Sequence, residues 1–428
     1  MTGSMLVILS VWFVALFVGP PLWLAMALAG TAFILFNGIA PAVIPQKIAM
    51  AANSFPLLAA PVFIFMGNIM NRGGVTLRIF AFTTALVGWL RGGLAYANIL
   101  ASMIFAGMSG SAVAEAGGLG TIEVKAMRDA GYDPAFAAGL TGAAATIGPI
   151  IPPSLPMIIY GVAAETSIGA LFIAGIIPGI LMGGALAGLT YRFARAANLP
   201  RLPFPGVDEV WLAFRSALWA LMTPVILFGG MMSGIFTATE AAAVAAVYAL
   251  ILGLVIYRDF DVRDLPALIL ETVETSGVVM ALVMAAQLFG YCLSVSRMPQ
   301  AFGAALSEIT SDPLVYLLIV NALLLLVGCF MEAIAAMLIL IPILVPPAMK
   351  LGIDPIQFGL IFVLNLMIGT LTPPVGVVLF VMSRIAQLPF AVVARATAPF
   401  LVPLIAVLVA ITLWPPLTTW LPGRLIAR

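Results

Sequence analysis

Apolar stretches of about 20 residues recur from one end of the chain to the other, parted by short polar segments, as a helical protein that crosses the bilayer many times requires. A soluble helical protein needs polar helix faces, and these segments lack them. The first stretch, MTGSMLVILSVWFVALFVGPP, has the length of a signal peptide but neither a basic start nor a small-residue cleavage site, so it predicts a first transmembrane helix. The segment RFARAANLPRLPFPGVDEVWLAFR, residues 192–215, divides the chain into halves, 1–191 and 216–428. Its arginines 192, 195, 201 and 215 place it on the cytoplasmic side by the positive-inside rule.

Crossings can be counted from that anchor. Helices at 216–233 and 240–257 leave and return, because RDFDVRD (258–264) is again polar. A helix at 271–292 follows, then a segment at 314–350 interrupted near GCFME, then 355–387, broken at a proline pair and ending at Arg384, with Arg395 beyond. If 314–350 spans twice, it is a hairpin entered from the periplasmic side. Its counterpart, 93–129, is bounded by Arg91, Lys125 and Arg128, and so enters from the cytoplasm; the first-half broken helix is 134–165. Lys47 is the one basic residue this topology leaves outside.

The halves match at one constant offset, the step that carries Gly107 onto Gly328. The same step pairs Gly131 with Gly352, and Asp133-Pro134 with Asp354-Pro355. Gly148 pairs with Gly369, Pro152-Pro153 with Pro373-Pro374, and Pro178 with Pro399, without a gap. Matched segments of opposite orientation are an inverted repeat, the architecture of many secondary transporters. The fold class expected is therefore an all-α polytopic membrane protein with two re-entrant helical hairpins and two broken helices.

The proline pairs fall in TIGPIIPPS (146–154) and MIGTLTPPV (367–375), both inside apolar stretches. Irregular backbone at membrane depth is tolerated only where protein or a water-filled cavity receives it. In a straight helix Pro152 and Pro153 orphan the carbonyls of Gly148 and Pro149, and Pro373 and Pro374 those of Gly369 and Thr370. Carbonyl oxygens suit a hard cation such as Na⁺. The half-helix that restarts turns its positive end to the same spot and favours an anion. Simple kinks that shape the bundle are the plainer reading of one pair; two pairs at equivalent positions favour ion sites.

The hairpin tips add oxygen ligands. FAGMSGSAVAEAGGLG (105–120) is rich in glycine and serine, and Ser109 and Ser111 can bind a cation or a carboxylate. Small residues that merely let helices pack closely explain the glycines, but the serines less well. The second tip, VGCFMEAIAA (327–336), offers Gly328 and Glu332. Among ionisable residues in apolar segments, Glu332 ranks first and Glu115 is a candidate to position the first tip. Glu240 follows TAT and reads as a cap-type residue at a helix start, since Thr237 and Thr239 are natural caps; Glu165 reads as solvated, and Arg384 and Arg395 as topology anchors.

Composition narrows the chemistry. The chain of 428 residues is 63% hydrophobic and 8% charged, against about 25% charged in a soluble domain, and its mean hydropathy is +1.20. A net charge of +1 provides no basic field for nucleic acid. Cys292 and Cys329 have no metal-type spacing. There is no histidine, which removes the commonest general base and proton relay. An intramembrane enzyme lacks its S-x-x-K or G-x-S-x-G context here, no ATP-binding P-loop is present, and a passive channel has no use for two mirrored breaks.

The stretch GMSGSAVAEAGGLGTIEVKAMRDAGYDPAFAAGLTGAAATIGPIIPPSLPMIIYG and the later GTLTPPVG resemble the large membrane subunit (DctM-type) of TRAP transporters, the tripartite ATP-independent periplasmic transporters. The resemblance covers essentially the whole chain. It implies a multi-pass protein of the bacterial inner membrane that works by an elevator motion of a transport domain against a scaffold. It further implies a small membrane subunit, a periplasmic solute-binding protein that delivers substrate, Na⁺ as coupling ion, no organic cofactor, and organic-acid anions as cargo. Carried onto this sequence, a first Na⁺ site comprises Ser109, Ser111, Gly148, Pro149, Ile150 and Pro153, and a second Gly328, Gly369, Thr372 and Val375. A substrate carboxylate would sit between the tips, near Ser109, Gly110 and Thr372. The first apolar helix begins almost at residue 1, so the small subunit is expected to be a separate chain. The rival reading is a stand-alone Na⁺/dicarboxylate symporter of similar hairpin architecture.

Overall fold

A computed structural model describes residues 3–425, with backbone alone for residues 3–5, 16, 109 and 305–309. The described residues form helices and no strand. In the first half these are α1 (Gly3–Val18), α2 (Leu22–Phe36), α3 (Val43–Ala52), α4 (Ala59–Arg72) and α5 (Val75–Val87), then α6 (Gly93–Ser109), α7 (Ala112–Gly117), α8 (Leu119–Asp129), α9 (Pro134–Ala145), α10 (Leu155–Ala163) and α11 (Ile168–Ala196). The second half holds α12 (Val207–Met232), α13 (Ala238–Ile251), α14 (Leu265–Val295) and α15 (Met298–Ile309). It continues with α16 (Pro313–Gly328), α17 (Ala333–Lys350), α18 (Pro355–Gly369), α19 (Val377–Ala386), α20 (Phe390–Leu413) and α21 (Pro416–Leu425). Six of the described helices are long and apolar enough to cross a membrane, and the bent pair formed by α3 with the segment to Arg72 makes a seventh.

The repeated G-x-D-P is helix punctuation. Gly131 and Gly352 take φ of +88° and +74° just past the ends of α8 and α17, a conformation open to glycine at no steric cost. Asp133 then caps α9, accepting from the Ala135 N–H, and Asp354 caps α18, accepting from the Ile356 and Gln357 N–H groups. Proline follows each Asp at the first helical position, where its missing N–H costs nothing. One short phrase thus stops one helix and starts the next, and it does so at equivalent places in both halves.

The polar segment is shorter than its composition suggests. α11 runs on to Ala196 and α12 starts at Val207, so only about ten residues between them leave the helix. Arginine continues a helix well, which is why charge alone misplaced the ends. The connector is tied down: the Gly92 N–H and the Tyr132 hydroxyl both donate to the Pro200 carbonyl, at 3.0 and 3.1 Å. The amphipathic helix α15 is an element the apolar pattern does not announce.

Packing is exchanged between the halves. α9 lies against α20 and α18 against α11; α10 lies against α17 and α19 against α7. The short segments are the most enclosed: every residue from Ala137 to Ala145 and from Gln357 to Gly369 is buried. Large apolar side chains such as Phe17, Trp211, Val225 and Val273 point outward, as a lipid-facing surface requires.

Polar side chains, buried in the first case and partly exposed in the second, stitch two groups of helices, each internally. In one, Asn98 of α6 donates to Thr141 of α9 at 2.6 Å, Asn365 of α18 to Asn321 of α16 at 2.6 Å, and Asn321 to Thr412 of α20 at 3.0 Å. In the other, Asn68 of α4 donates to Thr272 of α14 at 3.1 Å, and Arg78 of α5 pairs with Asp259 at 2.6 Å. Among the described residues, no side-chain hydrogen bond joins α1–α5 and α12–α15 to α6–α11 and α16–α20. At three of the places where the groups touch, glycine faces proline: Gly107 against Pro224, Gly290 against Pro342, Gly303 against Pro347.

Candidate ion and substrate site

At the first break the chain leaves the helix after Ala145 and resumes it at Leu155. The tip between α6 and α7 is seated on this break. Gly110 has φ +61°, and a Cβ there would lie 2.7 Å from the Pro153 carbonyl oxygen, so both the backbone angle and the space demand glycine. Ser111 caps α7, its Oγ accepting from the Ala114 N–H at 3.4 Å. Ser154 caps α10 by accepting from the Met157 N–H at 3.2 Å, and its hydroxyl donates to the Pro149 carbonyl at 2.5 Å. The Pro152–Pro153 and Pro373–Pro374 peptide bonds are both cis.

The second tip, between α16 and α17, is seated on the second break in the same way and more tightly. The Gly328 and Gly369 backbones touch: a Cβ on Gly369 would lie 2.5 Å from the Gly328 Cα. The Cys329 carbonyl at this tip accepts from the Val375 and Gly376 N–H groups at 3.2 and 3.3 Å. Each meeting point therefore joins two helix C-termini, the carbonyl ends, to two helix N-termini, the N–H ends. Such a place can hold a cation on carbonyl oxygens beside an anion on N–H groups.

The carbonyls named from the proline positions are mostly occupied. Only that of Gly148 accepts no hydrogen bond among the described residues. Pro149 is taken by Ser154, Gly369 by the Thr372 N–H at 2.9 Å, and Thr370 by the Val378 N–H at 3.1 Å. The straight-helix count fails because α9 ends before the prolines and a turn supplies new partners. A carbonyl with one accepted bond keeps a second lone pair, so these oxygens still offer one acceptor position each at the break.

The remaining site residues divide. Ile150 is buried, with its carbonyl against Gly175, and Thr372 is half-buried, its hydroxyl donating to the Ile368 carbonyl at 2.9 Å. The Ser109 side chain lies outside the described residues. A cavity of about 210 Å³ opens beside the first tip, lined by Gly110, Ser111 and Pro153 on one side and Asn68, Asn71 and Glu271 on the other. Thr372 does not line it, so this cavity does not bring Thr372 together with Gly110.

The ranking of acidic residues is reversed. Glu332 is exposed and caps α17, accepting from the Ala335 N–H at 3.0 Å. Glu240 forms a capping box with Thr237, while Thr239 donates to the Phe55 carbonyl instead, and Glu165, Arg384 and Arg395 are exposed. Glu115 is instead 1% exposed with its carboxylate against Gly148. Glu123, also 1% exposed, escaped the sequence reading. The signal was present: Leu119, Glu123, Val124 and Met127 form the buried stripe of α8, while Lys125 and Arg128 face outward.

The family described as "Tripartite ATP-independent periplasmic transporter, DctM component" matches residues 9–417. The chain is 45% identical over 412 residues to the sialic acid TRAP transporter large permease protein SiaM of Vibrio cholerae, covering 96% of each. It is 43% identical over 380 residues to the C4-dicarboxylate TRAP transporter large permease protein DctM of Pseudomonas aeruginosa, covering 89% of each. Its fold is similar to that of the YdaH transporter of Alcanivorax borkumensis, with a TM-score of 0.66 at 17% identity over 89% of this chain and 88% of that one. With the helical architecture and both glycine-proline breaks in place, the chain belongs to the DctM family of TRAP transporter large permease subunits.

Proposed function

We propose that this chain is the membrane-spanning permease of a Na⁺-coupled transporter that takes up organic-acid anions across the bacterial inner membrane. The observation that carries the reading is the seating of each tip on a break, with carbonyls and helix N-termini gathered at both meeting points. A Na⁺ held at each break screens the anion's charge, and the anion's carboxylate meets the positive helix ends. The ion ligands assigned are Ser109, Ser111, Gly148, Pro149, Ile150 and Pro153 at the first break, and Gly328, Gly369, Thr372 and Val375 at the second. The anion is assigned to Ser109, Gly110 and Thr372.

The two halves are inverted repeats with re-entrant hairpins, supported by helix boundaries that recur at equivalent positions and by exchanged packing. The mechanism is an elevator. Exchanged packing and the Tyr160 hydroxyl's bond to the Pro355 carbonyl, at 3.1 Å, join α6–α11 to α16–α20 as one body, and the Asn68–Thr272 and Arg78–Asp259 pairs join α1–α5 to α12–α15 as another. The glycine–proline contacts between the bodies let one slide past the other without breaking a polar bond. Organic acids are the cargo because relatives are named for sialic acid, C4-dicarboxylates and 2,3-diketo-L-gulonate. The tripartite family description implies a small membrane subunit and a periplasmic binding protein as partners.

The test is uptake into proteoliposomes that contain the chain and its small subunit, with binding protein loaded with labelled sialic acid or C4-dicarboxylate outside. Uptake is expected only with an inward Na⁺ gradient and the binding protein. Equal uptake without Na⁺ refutes the coupling, and equal uptake without the binding protein favours the stand-alone symporter.

A further inference from the structure

The cavity of about 210 Å³ beside the first tip has two walls of different character. Gly110 and Ser111 belong to the tip wall. The facing wall belongs to the other helix group: Asn68 and Asn71 lie one turn apart on α4, and Glu271 and Thr275 one turn apart on α14. Three other contacts between the groups set glycine against proline, so packing alone does not call for a polar wall here. Asn68 donates its amide N–H to the Thr272 hydroxyl at 3.1 Å, and its oxygen accepts no hydrogen bond among the described residues. Asn71 is the reverse: its oxygen accepts from the Thr76 hydroxyl at 3.5 Å, and its amide N–H has no acceptor among the described residues. The Thr275 hydroxyl turns back onto the Glu271 carbonyl at 3.0 Å. The Glu271 carboxylate has neither a basic nor a donor partner among the described residues; Arg72 and Arg78 are held by Asp264 and Asp259.

A ligand that meets this wall must donate to a carboxylate and an amide oxygen and accept from an amide N–H. A hydroxyl does both, an ammonium only donates, and an ionised carboxylate only accepts. A second carboxylate on the ligand would also face Glu271 as a like charge, and repulsion of this kind rejects a partner just as attraction selects one. We propose that Glu271, with Asn68 and Asn71, selects the cargo at its end remote from the tip, favouring hydroxylated monocarboxylates of sugar-acid type over dicarboxylates. This selection presupposes the reading above, in which the cargo's carboxylate lies at the first tip, and adds to it the chemical class that the facing wall accepts.

Equilibrium binding of labelled sialic acid, D-gluconate and succinate to the purified full chain, with and without Na⁺, tests it. The unaltered chain is expected to bind at least one of the two hydroxylated acids about tenfold or more tightly than succinate. Glu271 is exposed, so Glu271→Gln keeps size and disturbs no core packing. It should weaken the hydroxylated acid about tenfold, through loss of a charge-assisted hydrogen bond, while succinate binds more tightly. Glu271→Asp should restore part of the preference. Glu274→Gln, on the same helix but outside the cavity lining, should leave it unchanged. The proposal is overturned if the unaltered chain binds succinate as tightly as both hydroxylated acids, or binds neither of them. It is equally overturned if Glu271→Gln leaves the preference unmoved or weakens all three acids alike. A preference that persists without Na⁺ would sink the coupling reading and leave the selection standing, whereas Na⁺-driven uptake of succinate without preference would do the opposite.

Discussion

Gly369→Ala tests the seating of the second tip directly. The new Cβ would stand 2.5 Å from the Gly328 Cα and carbonyl carbon and 2.9 Å from its oxygen. Carbon atoms in contact sit at about 3.5–4.0 Å, so the tip must retreat by about 1 Å, and because the obstructing atoms are backbone no rotamer change relieves them. The hydrogen bonds from Val375 and Gly376 to the Cys329 carbonyl, at 3.2 and 3.3 Å, would stretch to about 4 Å, beyond a useful bond. Overpacking of this kind costs about 1–3 kcal/mol. If the strain is relieved by opening the tip, the proposed second ion site loses its geometry, and 1.4 kcal/mol corresponds to about tenfold in affinity. The Na⁺ concentration for half-maximal uptake in proteoliposomes should therefore rise about tenfold or more. Gly328→Ala, whose Cβ meets Gly369 at 3.0 Å, should do the same more mildly. Gly184→Ala, in open space on α11, should leave Na⁺ activation unchanged. Ordinary Na⁺ activation in Gly369→Ala, or equal harm from Gly184→Ala, would refute the reasoning.

Ser111→Ala removes both a proposed ligand and the α7 cap, so it should weaken Na⁺ activation while costing about 1 kcal/mol of stability; a Na⁺ curve that matches the unaltered chain counts against it. Thr372→Ala should change the number of Na⁺ carried per substrate, measured as ²²Na⁺ and labelled substrate uptake together, and an unaltered ratio removes Thr372 from the second site. Gly290→Leu places a large side chain where Pro342 lies 3.3 Å from a Cβ. It should slow uptake severely while ²²Na⁺ binding persists, and full uptake would argue against sliding between the two helix groups. Asp354→Ala strips two N–H acceptances from the start of α18 and should lower thermal stability by about 1–2 kcal/mol; an unchanged melting curve would show that the cap does not hold that helix.

Much of this protein is written in its local sequence. Runs of apolar residues fix the helices, because a backbone in hydrocarbon must bond to itself. Gly131, Asp133 and Pro134, and again Gly352, Asp354 and Pro355, fix where helices stop and restart, because φ, cap and ring geometry are properties of single residues. The proline pairs likewise mark both breaks. What the sequence could not decide is which partner each exposed polar atom finds. The Pro149 and Thr370 carbonyls look free by helix arithmetic, yet Ser154 and Val378 claim them once the chain turns. Glu332 and Glu115 look alike in an apolar stretch, yet one caps a helix at the surface and the other is enclosed against Gly148. Helix and turn are set by neighbours along the chain; burial and satisfaction of a polar group are set by neighbours across it, and only the packed helices supply those.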